Sequence, residues 1–115
     1  MITDNARTLI TTYLETILDT ATIGFGGNNS SSAQTTLDVP STLAASAVVL
    51  ETSLSELNVI EAKVSIAGSH LTGKVTREMG LFKSSGELLS RINFEGVGPF
   101  ASDETLEIFL IIEVE

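Results

Sequence analysis

Two hydrophobic periods divide this chain. Between residues 4 and 19, Ala6, Leu9, Ile10, Tyr13, Leu14, Ile17 and Leu18 recur at steps of three and four, which places them on one side of a helix. Thr8, Thr11, Thr12, Glu15 and Thr16 fall on the other side. Thr3 or Asp4 supplies the cap, and Asp4 complements the positive helix end. Such an amphipathic helix needs a cover for its apolar stripe. The expected cover is the molecule's own sheet, and equivalent helices of neighbouring copies are the alternative.

From residue 21 onward the period is two. Ala21 to Gly27 alternates small or polar residues with apolar ones, and Asn28 to Thr36 is a polar run that reads as an exposed loop. Leu37 to Pro40 and the alanine- and valine-rich Thr42 to Leu50 do not declare a period, and Ala47 to Leu54 is expected to be extended. Between Val59 and Ala67, Ile60, Ala62, Val64 and Ile66 alternate with Glu61, Lys63 and Ser65, so one face of that strand is wet. Gly68 to Gly73 is a loop. Val75, Met79 and Leu81 then share a face opposite Thr76, Glu78 and Phe82. Lys83 to Gly86 has turn chemistry, and Leu88, Ser90, Ile92 and Phe94 return on one side with Leu89 and Arg91 on the other. This is a hairpin. After the breaker-rich stretch Gly96 to Glu104, a last strand runs from Leu106 to Val114. It is apolar on both faces and is therefore expected at the centre of a sheet.

One helix followed by five or six short strands predicts a mainly β fold. The expected architecture is an antiparallel β-sandwich or flattened barrel with one N-terminal amphipathic α-helix, formed by residues 1–115 as a single domain, with the helix at about 4–19 and the β-rich part at 21–115. A chain of 115 residues supports a core of limited size, so partner subunits are expected to share in its stability.

Charge and composition narrow the function. Fifteen acids against six bases give a net charge of −9, which repels phosphate backbones and anionic lipid, so neither nucleic acid nor membrane is an expected partner. The acids are spread along the chain and read first as solvated surface. Adaptation to high salt is the sharper alternative. There is no cysteine, which removes disulfides and thiolate metal sites. No run approaches the ~20 apolar residues of a membrane span, and no basic leader precedes an apolar run, so a soluble, unprocessed protein is expected.

Candidate chemistry is sparse. The Gly24-Phe25-Gly26-Gly27 segment lacks the lysine and hydroxyl residue of a phosphate loop. His70 is the sole histidine and lies in a Gly/Ser loop without a nucleophile motif. Asp103 and Glu104 do not match a calcium loop. Glu78 is the acid expected to be partly buried, beside Arg77 or Arg91. No catalytic, cofactor-binding or metal-binding residues are assigned, and no enzyme activity or cofactor is expected.

Three segments in order carry a resemblance. Val75-Thr-Arg-Glu-Met-Gly-Leu-Phe82, then Ser85-Gly-Glu-Leu-Leu-Ser-Arg91, then Ile108 to Val114, with the glycine-rich Ile23 to Leu37 upstream, are similar to a module of small virion proteins of tailed bacterial and archaeal viruses, of the tail-fibre or tail-collar type. Arg77 stands as an insertion in that pattern, and Ser84-Ser85 replaces a charged turn residue. The resemblance implies a structural component of a virion, assembled in the host cytoplasm, packed as a homotrimer or ring and joined to other virion proteins. Tail-fibre or baseplate association is the first expectation, capsid decoration or a turret protein the alternative, and a small-molecule or glycan-binding module a further one. The side chains expected to make the contacts are Leu9, Tyr13, Ile17, Phe25, Met79, Phe82 and Phe100.

Overall fold

The computed structural model describes residues 1–26, 36–37, 39–43 and 47–115. The loop expected at 28–36 lies outside the described residues but for Thr36, as does the end of the first strand at Gly27 and the middle of the 42–50 segment. The described residues form one helix, α1 (Asp4–Ile17), and six strands, β1 (Thr20–Gly24), β2 (Val48–Glu56), β3 (Val59–Ala67), β4 (Thr76–Phe82), β5 (Leu88–Val97) and β6 (Thr105–Glu113), with a short 3₁₀ turn at Gly68–His70. The helix starts where Thr3 accepts the Ala6 N–H at 3.2 Å.

The strands make two antiparallel sheets, with orders β1-β4-β5 and β2-β3-β6. They pack face to face across one core. Ala21 and Ile23 of β1 and Met79 and Leu81 of β4 meet Ile60, Ala62, Val64 and Ile66 of β3, with Leu71 and Leu106 alongside. The flattened barrel is not formed, because no ladder joins the two sheets among the described residues. Mainly β architecture with one N-terminal helix is as expected, and so are the hairpin faces of Met79, Leu81, Ser90, Ile92 and Arg91. Leu88 and Leu89 exchange faces: a register shift between Leu81 and Phe82 sets Leu88 opposite Phe82 beside Gly80 and turns Leu89 to the core. Met79 pairs with Ile92 and Leu81 with Ser90 on the core side, while Gly80 pairs with Arg91 on the other. Its turn closes through Gly86, whose φ of 95° suits glycine and whose N–H donates to the Lys83 carbonyl at 2.9 Å.

β6 departs from expectation. Among the described residues it pairs only with β3, so it lies at the edge of its sheet, and β3 is central. Its inward side chains Leu106, Ile108, Leu110 and Ile112 pack on the core, but Phe109 and Ile111 face outward and nothing among the described residues covers them. Apolar residues on both faces signalled two contacts, and only one is made among the described residues. Asn58, in the tight β2–β3 turn, holds the far end of β6 by accepting the Val114 N–H at 2.8 Å and donating to its carbonyl at 3.0 Å.

The helix also turns differently from its stripe. It packs against β2 and β3, as favoured, but the side it buries is that of Thr11, Leu14 and Leu18, while Leu9, Ile10 and Tyr13 point to solvent. The rotation is set at its C-terminal end. Leu18 is buried in the core, and Asp19 donates its N–H to Phe82 at 2.9 Å as the chain enters β1. Stepping back from Leu18 by four and three residues brings Leu14 and Thr11 to the same side. Glu15 fixes the angle further by accepting the Thr52 hydroxyl at 2.7 Å.

Thr11 is the misfit of this arrangement. Its side chain is buried and its hydroxyl has no hydrogen-bond partner among the described residues. Thr11→Val replaces that hydroxyl by a methyl of the same shape and should raise the unfolding free energy by about 1 kcal/mol, read from the shift of the urea midpoint at constant slope.

Candidate functional site

The polar centre of the molecule lies on the face of the β1-β4-β5 sheet turned away from the core. Glu78, on the central strand β4, is completely buried. Its Oε2 accepts the Gly26 N–H at 2.8 Å and the Val39 N–H at 2.9 Å, and its Oε1 lies 3.7 Å from Nη2 of Arg91 on β5, itself nearly buried. Residues 39–41 run beside β1, with Phe25 donating to the Val39 carbonyl and Ser41 to the Ile23 carbonyl, both at 2.9 Å. The carboxylate therefore joins four stretches of backbone: β4, β5, the end of β1 and the returning segment.

Gly24 makes this possible. It sits opposite Glu78 in the ladder, and a Cβ there would lie 2.6–2.7 Å from the Glu78 side chain. The glycine-rich segment thus clears the path of a carboxylate. One strand position further along, Gly80 leaves room for Leu37, whose Cδ2 would be 3.0 Å from an added Cβ. Leu37 is buried as a result, and this second face of the sheet is closed. A charge buried this deeply with backbone donors and an arginine around it is a structural clamp, and the expected neighbour is Arg91 rather than Arg77.

His70 is exposed, the Glu104 carboxylate is engaged by the Ala101 N–H at 2.6 Å, and no group of three or more metal-ligating side chains occurs among the described residues. No described helix is long and apolar enough to cross a membrane.

Two apolar surfaces stand out as open among the described residues. The first is the outward ridge of α1, where Leu9 is 71% and Tyr13 64% exposed, beside Ile10. Asn5, Leu9, Tyr13 and Thr16 fall within roughly 40° of one direction, whereas Asp4, Arg7 and Glu15 are turned at least about 120° from it. The ridge carries no charge at its centre. The second is the outer face of the β2-β3-β6 sheet, where Phe109 is 70% and Ile111 67% exposed. They border a shallow depression of about 390 Å³ lined also by Glu51, Ser53, Glu61 and Lys63. Lys63 lies 3.6 Å from Glu107 and 5.9 Å from the Phe109 ring centroid.

The expected contact residues divide accordingly. Leu9 and Tyr13 are on the open ridge, with Ile17 half-buried near its end. Phe25 and Phe100 pack against the core, and Phe25 also receives Lys74 over its ring at 5.1 Å. Phe82 is half-buried beside Gly80. Met79 is not a contact residue: it is fully buried between the sheets, as its place on the core face of the central strand requires. The most exposed apolar side chains on the described strands, Phe109 and Ile111, were legible only as an alternation taken to be covered. Comparison with protein-family models, curated proteins and solved structures found no match.

The clamp generates a direct expectation. Glu78→Gln leaves Arg91 buried beside an uncharged group and should cost about 3 kcal/mol, and Arg91→Gln a similar amount. The double variant should cost less than their sum by at least about 1 kcal/mol, measured as a double-mutant cycle in urea. Gly24→Ala should cost about 2 kcal/mol through displacement of the same carboxylate.

Proposed function

We propose that this chain is a structural component of a tailed-virus particle that works by assembly and performs no reaction. The single observation that carries the assembly reading is the open, charge-free ridge of α1. A helix that hides Thr11 and shows Leu9, Ile10 and Tyr13 is better satisfied when a second surface covers it. In a chain of net charge −9, a charge-free strip is the place where copies approach with least repulsion. The viral part of the reading rests on the likeness of Val75 to Phe82, Ser85 to Arg91 and Ile108 to Val114 to small virion proteins. On that likeness the assembly is a homotrimer or ring that meets other virion proteins, by first preference in the tail fibre or baseplate, and alternatively as a capsid decoration or turret protein.

A glycan- or small-molecule-binding module is the second reading, favoured by the depression beside Phe109. It predicts a monomer stabilised by its ligand.

Light scattering coupled to size exclusion tests the first reading. The expected result is an oligomer that the double variant Leu9→Glu/Tyr13→Glu converts to a monomer with an unchanged circular-dichroism spectrum. A chain that stays monomeric at ~0.1 mM, where an interface worth only about 5.5 kcal/mol would be half occupied, overturns it.

A further inference from the structure

The outer edge of β6 is a second kind of surface. β6 is nine residues long, pairs with β3 on one side only, and has no strand on the other among the described residues. Along its outward face the order is Glu107, Phe109, Ile111, Glu113: two exposed apolar side chains between two acids. Further acids, Glu51 and Glu61, lie on the same face, and Lys63 is the one base there, already beside Glu107. Inward, Ile108, Leu110 and Ile112 are only partly buried, so an added strand would also extend the core.

We propose that this edge accepts an extended segment of a different protein that pairs with β6 and presents the pattern base, apolar, apolar, base at alternate positions. Cross-strand neighbours on one face decide such a pairing. Opposite Glu107 and Glu113 a cation is favoured, and opposite Phe109 and Ile111 an apolar side chain. The charge order is symmetric, so either strand direction satisfies it.

A second copy of β6 does not. Antiparallel pairing centred on Leu110 sets Glu107 against Glu113 twice, and centring on Phe109 sets Glu107 against Ile111. The acids thus act as an edge guard against self-pairing. The chain does contain one segment of the complementary pattern, Arg77, Met79, Leu81 and Lys83. It is β4, paired on both sides within its own sheet and with Met79 and Leu81 in the core, so it is not free to donate. The occupant is therefore another polypeptide, and the inference holds whether or not the helix ridge self-associates.

The test uses the full chain and the blocked heptapeptide KTVTVTK, with ETVTVTE and the scramble KKVVTTT as controls, titrated by fluorescence anisotropy at low salt. KTVTVTK should bind at least tenfold tighter than either control. Glu107→Lys/Glu113→Lys should invert the preference towards ETVTVTE, and Phe109→Ser should weaken KTVTVTK at least fivefold. The milder Glu107→Gln/Glu113→Gln variant, changed only at two exposed positions, should remove the preference between the two charged peptides. Equal binding of peptide and scramble, a preference unmoved by charge reversal, or no binding of KTVTVTK overturns the proposal. So does a dimer of the wild-type chain that is lost on Phe109→Lys.

Discussion

Everything distinctive in this structure follows from one buried carboxylate. Glu78 sits on the central strand of its sheet, facing away from the core, and would be an ordinary wet residue if that face were open. Instead the N–H groups of Gly26 and Val39 converge on one of its oxygens and Arg91 approaches the other. The returning chain is thereby laid over the sheet, Leu37 drops onto Gly80, and the face closes. An ion pair of this kind adds little net stability over an apolar filling, since both charges lose water. Its value is in fixing register. A slip of β4 by one residue would drive the carboxylate into the apolar core and Met79 out of it.

The two sheets are consequently unequal. The β1-β4-β5 sheet is covered on both faces, by the other sheet and by the segment that Glu78 holds. The β2-β3-β6 sheet is covered on one face only, shared between the first sheet and α1. Since α1 must deliver Leu18 into the core and Asp19 to Phe82, it has no freedom to rotate its Leu9 side inward. The open ridge of α1 is therefore a by-product of well-satisfied contacts elsewhere.

How far the sequence foretold this depends on which contacts were local. Strand faces were legible because the period of two is imposed by the backbone itself: Ile60, Ala62, Val64 and Ile66 are inward as their alternation requires, and the Lys83 to Gly86 turn closes as its residues dictate. The helix was legible as an element and misleading in orientation, because its strongest apolar stripe is not the side that Leu18 commands. The edge position of β6 was hidden for a related reason. Phe109 and Ile111 announce a contact, and nothing in the pattern says whether the partner is in the same chain. Gly24 was legible only as a glycine that allows a bend or a close backbone approach, while its purpose depends on Glu78, which lies 54 residues away in the chain and opposite it in the ladder. Met79 read as a contact residue, and only the strand order shows that its face of β4 is the core.

Charge separates the two open surfaces more sharply than hydrophobicity does. Each copy added to an assembly brings a further −9, and at physiological salt exposed charges still act over roughly 8 Å. Self-association through the acid-bordered sheet face would place Glu107 and Glu113 of different copies within that range. Association through the helix ridge keeps Asp4, Arg7 and Glu15 turned away, with Asp4 and Arg7 already paired at 3.2 Å. The charge-free ridge therefore suits like meeting like, and the sheet edge suits a cationic stranger. On the proposed reading, a symmetric assembly built through the ridge would leave the β6 edge free for a different partner.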